Sequence, residues 1–167
     1  MNISKVAKTT IRPSEALISQ LPYEGMVVID NAGKVVLLKK GERSRVVLNA
    51  EEVYDLSRRK PQSIMTHNHP SGGPLSPEDI YFAFKTKLRE VRAVSPDNTV
   101  YLMEMPKKLN PNDYYKGIKE SLRFAKILEK AKTKGLMKLE KDYTTFYRFM
   151  TMKLKHIIPG LKFRTLI

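Results

Sequence analysis

The sequence predicts a mixed α/β (α+β) fold, one mixed sheet flanked by helices with a basic helical extension at the C-terminal end. Three observations predict it. Short β-branched runs recur between residues 26 and 103, helix-starting signals lie among them, and two long amphipathic stretches follow residue 110. With 41% apolar residues in a chain of 167, there is enough material for a buried core.

Met26-Val-Val-Ile29 and Val35-Val-Leu-Leu38 flank the turn residues Asn31 to Gly33, which predicts a hairpin. Arg45-Val-Val-Leu48 predicts a third strand completing an antiparallel meander. Asn49 is a candidate N-cap for a short helix with Val53 and Leu56 at helical spacing, and Lys60-Pro61 should end it. Ser63-Ile-Met-Thr66 then reads as a strand returning to the sheet. Ser76-Pro-Glu-Asp79 has the form of a helix start, with Ser at the N-cap, Pro at the first helical position and an acid at the third. Ile80, Phe84, Leu88, Val91 and Val94 share one helical face beyond it, so this helix is expected to run to about Ser95-Pro96. Thr99-Val-Tyr-Leu-Met103 predicts the last strand.

Past Pro106 the composition changes, which divides the chain into a domain over 1–106 and an extension over 107–167. The first part carries 15 Lys and Arg against 12 Asp and Glu, the second 16 against 5. Tyr115, Ile118, Leu122, Ala125 and Leu128 recur at three- and four-residue spacing. Leu139, Tyr143, Phe146, Met150, Leu154 and Ile157 do the same, which predicts two helices joined near Gly135. The second stripe fits packing better than a platform for stacking bases, and His156 is expected to be structural or exposed.

No run approaches the roughly 20 apolar residues of a membrane span, and the N-terminal stretch from Met1 to Glu15 lacks the apolar core of a signal peptide. A cytoplasmic location without membrane contact is therefore expected. The chain has no cysteine, so a metal could be held only by His, Asp, Glu or water.

Two of the three histidines lie one residue apart, in His67-Asn-His69-Pro-Ser-Gly-Gly-Pro-Leu-Ser76-Pro-Glu-Asp79. Side chains two apart on a strand point the same way, so His67 and His69 can share one ion. Asp79 opens the next helix, where its carboxylate could return toward them as a third ligand or serve only as a helix cap. Two histidines and an aspartate with an open fourth position form the ligand set of a catalytic zinc site.

The pattern His67-x-His69-Pro-Ser-Gly followed by Ser76-x-x-Asp79 resembles the signature of the JAB/MPN (JAMM) metalloprotease superfamily, nearest to its RadC-like and phage-associated prokaryotic branches. The resemblance extends over roughly residues 20–105, with one residue fewer between His69 and Ser76 than the widespread pattern has. It implies a JAB/MPN-like fold with Zn2+ on His67, His69 and Asp79, Ser76 helping to hold an oxyanion, and Glu24 as general base toward the metal's water. Glu15, Glu42, Glu51 and Glu52 are the other glutamates available for that last role. The implied activity is hydrolysis of a peptide or isopeptide bond, with a protein or peptide substrate that could be ubiquitin-like.

The alternative is a nucleic-acid-binding protein on the same scaffold, its metal structural or vestigial. Lys116, Lys119, Arg123, Lys126 and Lys130 would then contact phosphates without reading sequence. Lysine-rich helices are also a common way to keep a face solvated, and a surface for partner binding or self-association is a third use. The sequence does not disclose the substrate or the oligomeric state.

Overall fold

The computed structural model describes residues 5–59, 63–136 and 140–167. Its centre is a mixed six-stranded sheet. The strands are β1 (Gly25–Ile29), β2 (Val35–Lys40), β3 (Ile64–Asn68), β4 (Glu90–Val94), β5 (Val100–Glu104) and β6 (Lys162–Leu166), in the order β2-β1-β3-β4-β5-β6. β3 and β4 pair in parallel, and every other neighbouring pair is antiparallel. A parallel pair needs a crossover, here provided by helix α3 (Pro77–Lys85). The remaining helices are α1 (Lys5–Ser19), α2 (Ala50–Arg58), α4 (Pro111–Thr133) and α5 (Glu140–Ile157).

Alternation along the strands sorts the side chains into two cores. Val27, Ile29, Ile64, Val94 and Val100 face α1, where they meet Ile11 and Ile18. Met26, Val28, Met65, Val91, Ala93 and Met103 belong to a larger core with residues of all four remaining helices. Phe124 of α4 and Met150 and Leu154 of α5 are buried there, and β6 is hydrogen-bonded to β5. Residues on both sides of Pro106 thus contribute to one core and one sheet.

Two expectations are corrected. Arg45 to Leu48 do not form a strand: the segment is irregular, with Val46 and Leu48 packed on the larger core, and β2 is left as an edge of the sheet. The helix expected from Ser76 to about Ser95 stops at Lys85. Thr86 caps it, Lys87 turns into the left-handed region at φ 55°, and the chain re-enters the sheet as β4. Val91 and Val94 match a helical stripe by spacing, but Glu90-Val-Arg-Ala-Val94 also alternates, and pairing with both β3 and β5 decides the outcome. Helix α1 and strand β6 answer to no expectation from the sequence. Lys60, Pro61 and Leu139 lie outside the described residues.

Candidate metal centre

β3 carries His67 at its C-terminal end, His69 follows it, and both project from the face that holds the larger core. His67 is 2% exposed. Ser76 caps α3 in a reciprocal box: the Asp79 amide donates to Ser76 Oγ at 3.1 Å and the Ser76 amide donates to Asp79 Oδ2 at 2.7 Å. Capping leaves the carboxylate within reach of the histidines. Asp79 Oδ1 lies 3.1 Å from His67 Nε2, Oδ2 lies 3.4 Å from His69 Nε2, and the two Nε2 atoms are 2.9 Å apart. Cap and ligand were alternatives in the sequence, yet this carboxylate has the geometry for both.

His67, His69 and Asp79 form a group able to hold a metal ion. Tetrahedral zinc with bonds of 2.0–2.2 Å keeps its ligand atoms roughly 3.3 Å apart, close to the separations seen here. The donor chemistry also fits. His69 Nδ1 is placed to donate to the Gly73 carbonyl at 3.2 Å, which reserves the Nε2 lone pair for the shared centre. The Gly73 amide in turn donates to Ser95 Oγ, and Gly73 holds φ 101°, a conformation that favours glycine. His67 Nδ1 is buried without a partner among the described residues, so only Nε2 of that ring engages a neighbour.

Electrostatics link Glu24 to this group. Burial raises its carboxyl pKa, His67 and His69 pull it back, and Asp79 pushes it up again, leaving it above the ordinary value. Glu24 lies two residues before Met26, which pairs opposite His67, and lines the same cavity as both histidines. Burial also opposes ionisation of Asp79, but the two imidazoles override it and hold the carboxyl well below its ordinary range. For His69, burial alone would lower the pKa, whereas the Asp79 carboxylate raises it above the usual value.

The structure thus brings Glu24, His67, His69, Ser76 and Asp79 to one cavity of about 1170 Å³. The other glutamates named from the sequence have different surroundings. Glu15 is on α1, on the opposite side of the sheet, where Arg92 and Thr66 bind it. Glu42 pairs with Arg45 and Glu52 with Lys39, and Glu51 does not line the cavity.

Sequence reasoning missed Asn68, which lies between the histidines and faces the other way. Its Oδ1 accepts from the Gly25 amide at 2.6 Å, and its Nδ2 donates to the carbonyls of Leu21 and Tyr23. This one side chain fixes the entrance of β1, and with it the backbone of Glu24. Also missed was α4 as a wall of the cavity, through Leu122, Ala125, Lys126, Glu129 and Lys132. Their three- and four-residue spacing was the available signal. Of the expected phosphate contacts, Lys126 lines this cavity, and Lys116, Lys119, Arg123 and Lys130 lie exposed outside it on the same helix. Tyr143 of α5 lines the cavity as well as stacking on Phe146, and burial, with Asp79 and Glu78 nearby, pushes its phenol pKa up. His156 is exposed.

No helix among the described residues is long and apolar enough to cross a membrane. Comparison with protein-family models, with curated proteins and with solved structures finds no match to any of them.

Proposed function

We propose that the chain is a zinc-dependent hydrolase of peptide or isopeptide bonds, of the JAB/MPN type that its signature resembles. One observation carries the reading: the His67, His69 and Asp79 donor atoms converge beside Glu24 in a cavity large enough for a substrate. Zinc bound by those three residues would supply a Lewis acid and lower the pKa of a water toward about 7. Glu24, its pKa raised by burial, is placed to take up a proton and pass it to a leaving amine. Ser76 Oγ accepts from the Asp79 amide, which leaves its hydroxyl hydrogen to donate to a developing oxyanion. Buried His67 and the His69–Gly73 hydrogen bond keep the two rings from turning away.

Elemental mass spectrometry of the purified wild type beside Asp79→Ala tests the reading. About one zinc per chain is expected in the wild type and little in the variant. Equal metal content in both, or none in either, would refute it. Asp79→Asn, which keeps an acceptor for the Ser76 amide, separates loss of the ligand charge from loss of the cap.

A second reading, binding of nucleic acid, is favoured by one feature of α4. Lys116, Lys119, Arg123, Lys126 and Lys130 follow the three- and four-residue spacing that puts side chains on one face, and all five are exposed. Such a row would bind phosphates with a steep salt dependence that survives His67→Ala. Binding to single- or double-stranded DNA that ignores replacement of these five residues would remove it.

A further inference from the structure

The cavity that holds the histidine–aspartate cluster exceeds the roughly 300–1,000 Å³ common for small-molecule sites, at about 1170 Å³. It extends well beyond the cluster. The segment after β2 contributes Arg43, Arg45, Val46 and Leu48, and α4 contributes the face bearing Leu122, Lys126, Glu129 and Lys132. Leu122 is 43% exposed, a large apolar side chain directed into an open cleft.

The charges of the lining are unequal once the cluster and Glu24 are set aside. Arg43, Arg45, Lys126 and Lys132 remain against Glu78 and Glu129. Arg45 is paired with Glu42, but no ion pair among the described residues engages Arg43, Lys126 or Lys132. A divalent ion on His67, His69 and Asp79 would add to the positive field. Cations interleaved with Val46, Leu48 and Leu122 suit a ligand that alternates carboxylates with aliphatic groups. A nucleic-acid strand offers phosphates, but only scattered methyl and sugar carbons to place against them.

We propose that this cleft binds an extended, acidic peptide segment, its carboxylates held by Arg43, Lys126 and Lys132 and its aliphatic side chains by Val46, Leu48 and Leu122. As a substrate-class assignment it rests on the hydrolase reading, since the cleft leads to the metal cluster. α4 thus selects the substrate, and part of the basic surplus beyond residue 106 serves the cavity.

Fluorescence anisotropy on the full chain tests this with a labelled Glu/Leu-rich peptide, a Lys/Leu-rich peptide of equal length and a single-stranded oligothymidylate. The Glu/Leu peptide is expected to bind and the Lys/Leu peptide to fail. Lys126→Glu with Lys132→Glu should weaken the Glu/Leu peptide on the order of ten-fold, and the matching Lys→Gln pair should weaken it less. Lys116→Glu with Lys119→Glu, on the same helix but outside the cleft, should leave it within about two-fold. All four lysines are exposed, so thermal denaturation should find these variants folded. Equal binding of both peptides, no binding of the acidic one, or equal loss from the two pairs of reversals would overturn the proposal. So would oligothymidylate displacing the acidic peptide with its own affinity lowered by the cleft reversals. Metal content of the same protein is read separately, so the two failures are distinguishable: absence of a metal centre leaves the difference between the two pairs of reversals in place, and absence of an acidic-peptide cleft leaves the zinc in place.

Discussion

Each oxygen of Asp79 meets a different imidazole, and one of them also holds the start of α3, so protonation of this cluster is coupled to folding. In metal-free protein the Asp79 contribution to stability is present above its ordinary pKa of 3.8 and is lost as pH falls through the lowered folded value. His69 has the opposite sign. Its folded pKa is raised above 6.5, so its contribution is full below 6.5 and disappears as pH rises through the folded value. Zinc needs both imidazoles unprotonated, so its stabilising effect must grow as pH rises. The expected outcome is a difference in Tm between zinc-loaded and chelator-treated protein that is wider at about pH 8 than at about pH 6; a constant difference would count against His69 as a ligand. Asn68→Ala tests how Glu24 is held. Unpairing the Gly25 amide and the Leu21 and Tyr23 carbonyls should cost about 2–4 kcal/mol in urea denaturation, with zinc content retained. The two histidines were legible because strand alternation aligns them without any knowledge of the fold. Asn68 was not, because its partners lie more than 40 residues away in the chain.

At the level of elements, α3 and α4 pack through a position where only hydrogen fits. A Cβ on Gly117 would sit 2.5 Å from the ring of Phe84, itself 1% exposed and unable to retreat. Alanine would favour the helix by about 1 kcal/mol, but overpacking of this kind costs about 1–3 kcal/mol. Gly117→Ala is therefore expected to lower stability on balance, by about 1 kcal/mol, in chemical denaturation. A rise in stability would mean that α4 can shift away from α3. The start of α3 was readable from Ser76-Pro-Glu-Asp79, and the capping box forms as the spacing requires. Its end was not, because apolar residues keep helical spacing through Val94 with no Gly or Pro at Lys85 or Thr86. Helix α1 carries Pro13 within it, a residue that argues against a helix interior. Residues 45–48 have a strand-like apolar run, but Val46 and Leu48 pack on the larger core and β2 stays an edge strand, an outcome set by partners outside the segment itself.

For the whole molecule, the change in composition after Pro106 marks a change of surface and not a break in the core. Met150, Leu154, Ile158 and Leu161 are buried with Met65 and Met103, so a chain ending at residue 106 would leave this core open. Such a fragment is expected to lack a cooperative thermal transition by circular dichroism; a sharp transition would show that residues up to 106 fold alone. Strand β6 carries a further consequence, in time. It pairs with β5 across residues 105–161, so the ladder can close only after the chain has passed through both α4 and α5. Helices form locally within about a microsecond, whereas contacts between distant segments come late. Until β6 arrives, Val100–Glu104 presents a bare row of amide and carbonyl groups to any other chain. The final strand therefore sets how long a newly made molecule stays open to pairing with its neighbours, and conditions that slow its docking should favour aggregation before they measurably alter the folded state.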